Sequence, residues 1–215
     1  MKSVLVIGMG RFGRHLAHKM LELGNDVMIV DKDAELVERF SGRYTDSYIG
    51  DCTNEDVIKA LVANNFDLHF VTIGEDFQSS LVITSLLKQY GARHVIAKSN
   101  QDIQHDLLKK IGADEVVYPE REAAEKLAIR YNQKNIFDYI QLSGEYSICE
   151  IPVVSEWVGK TIIALDVRRR YNLNIIAIKQ GDILQPTPGP DYVFKKDDHI
   201  VIIGKSDDIF SLTSK

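Results

Sequence analysis

Three glycines and an aspartate supply the first recognisable chemistry. In "VLVIGMGRFGRHLA" (residues 4–17), Gly8, Gly10 and Gly13 follow an apolar run and open a helix-like segment. The G-x-G-x-x-G spacing suits a phosphate group. Gly8 allows a tight turn, Gly10 lets a pyrophosphate approach the backbone, and Gly13 lets the helix pack close to a sheet. The helix start then offers free N–H groups and partial positive charge. Asp31 closes the next strand-like run, where a carboxylate accepts from ribose hydroxyls and disfavours a 2′-phosphate. An adenosine nucleotide with a free ribose is therefore expected, rather than NADP. Arg11 stands inside the loop. Its guanidinium is either a solvated surface group or a contact to a phosphate beyond the pyrophosphate, or to one from a neighbouring molecule.

No catalytic set accompanies this loop. A dehydrogenase needs a proton donor beside the nicotinamide. Tyr192 and Lys196 form the only Tyr-x-x-x-Lys, far along in a loop-rich stretch. "SLLK" (85–88) lies in an apolar helix without the companion motifs of acyl transfer. His15 and His18 sit three apart on the first helix, lack a third ligand, and are expected on its surface. The residues predict a binder that does no chemistry. The alternative is a small NAD-dependent oxidoreductase.

The elements that would position the loop alternate up to about residue 134. Strands are expected at "VLVIG" (4–8), "DVMIVD" (26–31), "DSYIGD" (46–51), "LHFVTIG" (68–74), "HVIAK" (94–98) and "EVVYP" (115–119). Several are apolar on successive residues, as strands covered on both faces are. Helices such as "RHLAHKMLELG" and "SSLVITSLLKQYG" separate them, with Gly24 and Gly91 at left-handed C-caps. Thr53 with Asp56 has the spacing of a capping box. Six strand–helix repeats predict a doubly wound parallel sheet, an α/β Rossmann-type domain over 1–134.

Beyond it, "NIFDYIQL" (135–142) reads as a helix, either in its own core or as part of a crossover helix over about 120–142 that packs on a second copy. A small α+β domain is expected over 143–215. Its strands are "YSICEIPV", "NIIAIK", "DILQP" and "HIVIIGK", its helix is "TIIALDVRRRY", and the loop "PTPGPD" (186–191) excludes a central strand.

The 215 residues are 45% hydrophobic and 27% charged, an ordinary globular composition. The net charge of -5 speaks against nucleic acid as the main partner. The opening "MKSVLVIG" lacks the features of a signal peptide, and no run of 18 apolar residues predicts a membrane span or direct membrane insertion. Cys52 and Cys149 make neither a metal-binding spacing nor a disulfide framework, which fits a reducing cytoplasm. A redox-sensing repressor would need a DNA-binding module that the sequence does not display.

"VIGMGRFG", "VDKD", "GDCT", "KIGADEVVYPER" and the "NIIAIKQGD" strand–turn together resemble the RCK (regulator of K⁺ conductance) family, most closely its cytoplasmic Ktr/Trk-type subunits. The resemblance covers essentially the whole chain. It implies a homo-oligomer, a dimer assembling to an octameric ring. That ring would dock on the inner face of the cell membrane through an integral-membrane K⁺-translocating subunit of KtrB/TrkH type. Nucleotides would reshape it. The resemblance places Gly8, Gly10, Arg11, Phe12 and Gly13 at the phosphates and Asp31 at the ribose, with Lys32 and Asp33 beside it. Asp51 and Cys52 would flank the adenine. Ile73, Gly74 and Glu75 would close the pocket, with Lys98, Ser99 and Asn100 after the fifth strand.

Glu120 would stand near the phosphates, where Mg²⁺ or Ca²⁺ could lie between them. Arg11 with Glu120 favours ATP and ADP. Asp51 in "GDCT" and Gln104 keep NAD(H) as the alternative. The tail resembles domains that bind cyclic di-AMP at a dimer seam. There Arg168 and Arg169 would meet phosphates, and Ile163, Ile175, Ile176 and Pro190 the bases. Those arginines also suit an ordinary helix C-terminus.

Overall fold

The computed structural model describes residues 1–62, 65–132 and 135–213. It divides into two compact units, Met1–Glu120 and Arg121–Lys215.

The first unit alternates strand and helix. β1 (Ser3–Ile7), β2 (Asp26–Asp31), β3 (Asp46–Ile49), β4 (Leu68–Val71), β5 (Val95–Lys98) and β6 (Glu115–Val117) form one parallel sheet in the order β3-β2-β1-β4-β5-β6. This is the doubly wound sheet expected. Val4 to Ile7 are buried along the whole of β1, because β1 lies between β2 and β4 and is covered on both faces. One face packs Val4, Val6, Val27 and Ile29 against α1 (Arg11–Glu22) and α2 (Ala34–Phe40). The other packs Leu5, Ile7, Val71, Val95 and Ala97 against α3 (Glu55–Val62), α4 (Phe77–Gln89) and α5 (Asp102–Ile111). Consecutive strands reverse direction of travel between β1 and β4, and the crevice at that switch lies at the strands' C-terminal ends.

Gly24 and Gly91 take φ of +79° and +85° just past α1 and α4, as their C-cap positions require. The start of α3 differs from the expectation. Asn54 caps it, accepting from the Asp56 amide at 2.9 Å, while the Thr53 hydroxyl donates to Asp51 at 2.7 Å. The nearby carboxylate captures the threonine, and the next polar residue takes the cap.

The helix α6 (Pro119–Asn132) begins in the first unit and continues into the second. None of its residues is buried. The second unit is an antiparallel sheet in the order β10-β9-β11-β8-β7. Its strands are β7 (Asp138–Gln141), β8 (Tyr146–Pro152), β9 (Asn174–Gln180), β10 (Ile183–Pro186) and β11 (His199–Lys205). Pro186 ends the edge strand β10, the place where a proline costs no ladder bond. Trp157, Phe194, Ile151, Ile200 and Ile202 fill the core with α7 (Ile162–Leu165), α8 (Val167–Tyr171) and α9 (Ser206–Thr213).

Two expectations change in the second unit. Residues 135–142 are not helical: α6 is described over Pro119–Asn132, residues 133 and 134 lie outside the described residues, and β7 follows. Tyr139 points into the core while Asp138 and Ile140 are exposed, a period-two pattern within a run too short to distinguish from a helix. "TIIALDVRRRY" forms two short helices instead of one, broken at Asp166 with φ +46°. Helix α9 was not foreseen; Ile209 and Leu212 anchor it to the core.

Candidate functional site

The C-terminal ends of β1, β2, β4 and β5 open onto a cleft of about 750 Å³. Its floor is the glycine turn. Gly8 turns the chain at φ +100°, and its amide donates to Val30 at 2.8 Å. Gly13 must be glycine, because a Cβ there would overlap the Gly8 carbonyl and the Thr72 hydroxyl. Gly10 caps α1 without a side-chain acceptor, and a Cβ there would meet nothing within 4 Å. The first amides of α1 are thus left for an anion, and the space over Gly10 admits one.

Thr72 holds this turn. Its buried hydroxyl donates to the Gly8 carbonyl at 2.6 Å and lies 3.0 Å from that of Ile7. Asp31 holds the other side. One carboxylate oxygen accepts from the Met9 amide at 2.5 Å and the other from the Asp33 amide at 3.0 Å. Asp31 lines the cleft, and a carboxylate keeps lone pairs beyond these two bonds that suit ribose hydroxyls. Lys32 lines the cleft beside it, and Asp33 both lines it and caps α2 through the amides of Glu35 and Leu36.

At the far wall Asp51 accepts from the Thr53 amide and hydroxyl, which hold its carboxyl below the usual range. Cys52 is 3% exposed, and burial, reinforced by the charges of Asp51 and Asp31, pushes its thiol up to about 12. It forms a neutral, apolar patch of wall. Ile73, Gly74 and Glu75 line the opposite side, where Asn100 donates to the Gly74 carbonyl at 2.5 Å. The Asn100 amide in turn donates to Gln104 at 2.9 Å.

Arg11, Phe12, Lys98 and Glu120 complete the phosphate side. The Lys98 ammonium sits 2.6 Å from Glu120 Oε1 and 5.8 Å from the centroid of the Phe12 ring. The hydrogen bond from Lys98 holds the Glu120 carboxyl below its usual range.

The expected set therefore converges, with two qualifications. Gly13 acts beneath the turn instead of lining the cleft, and Ser99 is buried and does not line it. Thr72, Asp76 and Ser79 line it and were missed.

In the second unit, a groove of about 370 Å³ brings together Ile163, Arg168, Ile175 and Pro190. Arg169 and Ile176 do not line it. The Arg169 side chain is exposed, 4.0 Å from Asp166, because successive residues of α8 point about 100° apart around the helix. Tyr192, the proton-donor candidate, gives its hydroxyl to Asp198 at 2.7 Å. His18 pairs with Glu22 at 3.3 Å on the surface of α1, beside exposed His15. No group of three or more potential metal ligands occurs among the described residues, and no helix among them is long and apolar enough to cross a membrane.

Comparison with known proteins agrees with this architecture. The TrkA-N domain model matches residues 4–119 and the TrkA-C domain model residues 148–214. Ktr system potassium uptake protein C of Bacillus subtilis (strain 168) is 38% identical over 208 residues, 97% of this chain and 94% of that protein. Ktr system potassium uptake protein A of the same organism is 34% identical over the same shares. Among solved structures, the GsuK channel superposes with a TM-score of 0.71 at 21% identity, over 97% of this chain and 38% of that one. The GsuK RCK domain superposes at 0.67 and 19% identity, over the whole of this chain and 48% of the other. These two share the fold, and this chain spans less than half of each. With one domain model over each unit and near-complete overlap with the Bacillus proteins, the chain belongs to the TrkA-N/TrkA-C family, as an RCK subunit of the Ktr type.

Proposed function

We propose that the chain is a nucleotide-sensing regulatory subunit of a K⁺ uptake system, working in the cytoplasm as a homo-oligomeric ring on a membrane K⁺-translocating partner. The observation that carries this reading is the cleft. A capless helix start, a glycine turn braced by Thr72, and Asp31 at the second strand end form one continuous surface for an adenosine nucleotide. Relatives named as potassium uptake proteins, similar over nearly their whole length, supply the physiological setting. A GsuK channel bound to NAD and a GsuK bound to ADP share the fold, which supports nucleotides as the ligand class.

ATP and ADP are preferred to NAD(H). Arg11, Lys32 and Lys98 share the cleft wall with six carboxylates, Asp31, Asp33, Asp51, Glu75, Asp76 and Glu120. A polyphosphate entering so acidic a wall needs a counter-cation. Mg²⁺ or Ca²⁺ between the phosphates and Glu120 would meet that need, drawing its other ligands from the nucleotide. Regulation requires that each nucleotide favour one ring shape over another. Exposed α6, with Leu127 51% and Tyr131 78% exposed, offers the apolar face that a second copy would cover. The groove of Ile163, Arg168, Ile175 and Pro190 is the place for cyclic di-AMP.

Solution scattering of the full chain with ATP and with ADP tests the mechanism. Two distinct ring profiles are expected, and identical profiles would sink it.

A further inference from the structure

Three guanidiniums gather around one ring on the first unit. The Cζ atoms of Arg14, Arg39 and Arg43 lie 5.3, 5.5 and 5.5 Å from the centroid of Phe40. They come from three elements: α1, α2 and the single 3₁₀ turn Ser41–Arg43. Phe40 is half-buried, packed against the core under α1 and α2. The Tyr44 hydroxyl, 3.5 Å from the Arg14 carbonyl oxygen, ties the end of that turn to α1.

Charge balance sets this face apart. Other surface cations find carboxylates: Lys19 pairs with Glu22 at 2.9 Å, Lys59 with Glu55 at 2.7 Å and Lys205 with Glu145 at 3.1 Å. Among the described residues, none of the three arginines makes an ion pair or donates a hydrogen bond through its guanidinium. Glu35 stands four residues before Arg39 on α2, the spacing of a helical ion pair, and that pair does not form. A guanidinium held against a ring keeps its N–H edge for an outside acceptor. Three like charges around one ring also repel one another, a cost that an external anion removes.

We propose, on the reading that the chain works beside a membrane partner, that the Phe40 face is a docking surface for an anionic lipid bilayer.

The choice of occupant follows from charge and spread. Neither cleft described above includes Phe40 or any of the three arginines. Their charges are carried on separate elements around a ring. Mobile headgroups adjust their spacing to such a set, whereas a folded acidic partner needs a complementary fit. Each guanidinium can take a lipid phosphate through paired N–H groups. The net charge of -5 does not prevent docking. Charges farther away than about 8 Å are largely screened at physiological salt, so the bilayer meets the local patch and not the sum.

The test is co-sedimentation of the full chain with vesicles of phosphatidylcholine alone and of phosphatidylcholine mixed with phosphatidylglycerol, at low and high KCl. The variants are Arg43→Gln, the triple Arg14→Gln/Arg39→Gln/Arg43→Gln, Phe40→Leu, and Lys196→Gln as an exposed charge control. The thermal midpoint of each variant reports its folding, and Arg43→Gln alone carries the test if the triple variant does not fold. The unmodified chain should bind only the vesicles with phosphatidylglycerol, and high salt should release it. Arg43→Gln should lower the partition coefficient about fivefold and the triple variant about a hundredfold, since each arginine near an anionic leaflet contributes about 1 kcal/mol. Phe40→Leu keeps every charge but no longer holds the guanidiniums, and should lower it about two- to threefold. Lys196→Gln should change it by less than about twofold.

Undiminished binding by the folded triple variant, or an equal loss in Lys196→Gln, overturns the proposal. So does capture of polyglutamate without capture of vesicles, which gives the face to an acidic protein. If the chain ignores both vesicles while ADP still raises its thermal midpoint, the lipid surface falls and the regulatory reading stands. If it binds anionic vesicles through the arginines while no nucleotide moves its midpoint, the lipid surface stands and that reading falls.

Discussion

Thr72 Oγ1 lies 2.6 Å from the carbonyl oxygen of Gly8, so the fourth strand holds the glycine turn of the first. The bond crosses the switch point of the sheet and joins the two strands between which a nucleotide would sit. Thr72 also shares the backbone ladder, its amide donating to Ile7 at 2.9 Å. Strand pairing therefore places the hydroxyl, and the hydroxyl places the turn.

Thr72→Val keeps the shape and removes the donor. The Gly8 carbonyl loses its buried partner, which costs about 1–3 kcal/mol. Urea unfolding should show that loss at unchanged slope, and ADP affinity should fall with it because the turn is less well held.

Two glycines of one motif should separate fold from function. Gly13→Ala forces overlap with the Gly8 carbonyl and Thr72, both in the packed floor. It should destabilise by about 2 kcal/mol or more, the scale of overpacking. Gly10→Ala meets nothing and keeps a φ of -63° open to any residue. Its stability should change by less than about 1 kcal/mol, while nucleotide binding is lost to the methyl group over the phosphate path. Calorimetric unfolding beside ADP titration reads both effects. Equal stability of the two variants would contradict the packing account.

His69 gives the first unit an acid limit. It is buried in β4, and burial lowers its folded pKa; the His94 carbonyl bond opposes the shift and Lys88 adds to it. Below its unfolded value of about 6.5 the unfolded chain takes up a proton that the folded chain refuses. Stability from neutral His69 is thus present above that pH and lost as pH falls towards the folded pKa. Melting temperature should fall between pH 7.5 and 5.5, and His69→Gln should flatten that slope. An unchanged slope in the variant would remove His69 from the account.

In the second unit, Arg168 lines the groove and Arg169 does not. If cyclic di-AMP binds there, Arg168→Ala should abolish its thermal shift and Arg169→Ala should leave at least half. The reverse order would place the ligand elsewhere.

How much of this was legible in the residues depends on whether a position answers to local or distant constraints. Gly8 and Gly13 were readable because a left-handed turn and a close helix approach each admit little else. Asp31 was readable from its place at the second strand end. Thr72 was not, because a threonine ending a strand is ordinary until Gly8 is known to lie beneath it. The link between Lys98 and Glu120 spans 22 residues and leaves no local pattern. Tyr139 and Ile140 in β7 were misread because eight residues, five of them apolar or aromatic, fit a helix as well as an edge strand. The break at Asp166 carries no sequence mark, since a left-handed aspartate looks like any other.

The most direct measurement is a thermal-shift titration of the full chain against ATP, ADP, NADH, NADPH and cyclic di-AMP, with and without Mg²⁺, repeated for Arg11→Ala. A ligand at a hundred times its Kd adds about 2.7 kcal/mol to the folded state. ATP and ADP should each raise the midpoint, and Arg11→Ala should reduce the ATP shift more than the ADP shift. A shift by NADH alone, indifferent to Arg11, would contradict the account and return the cleft to the hydride-transfer cofactors.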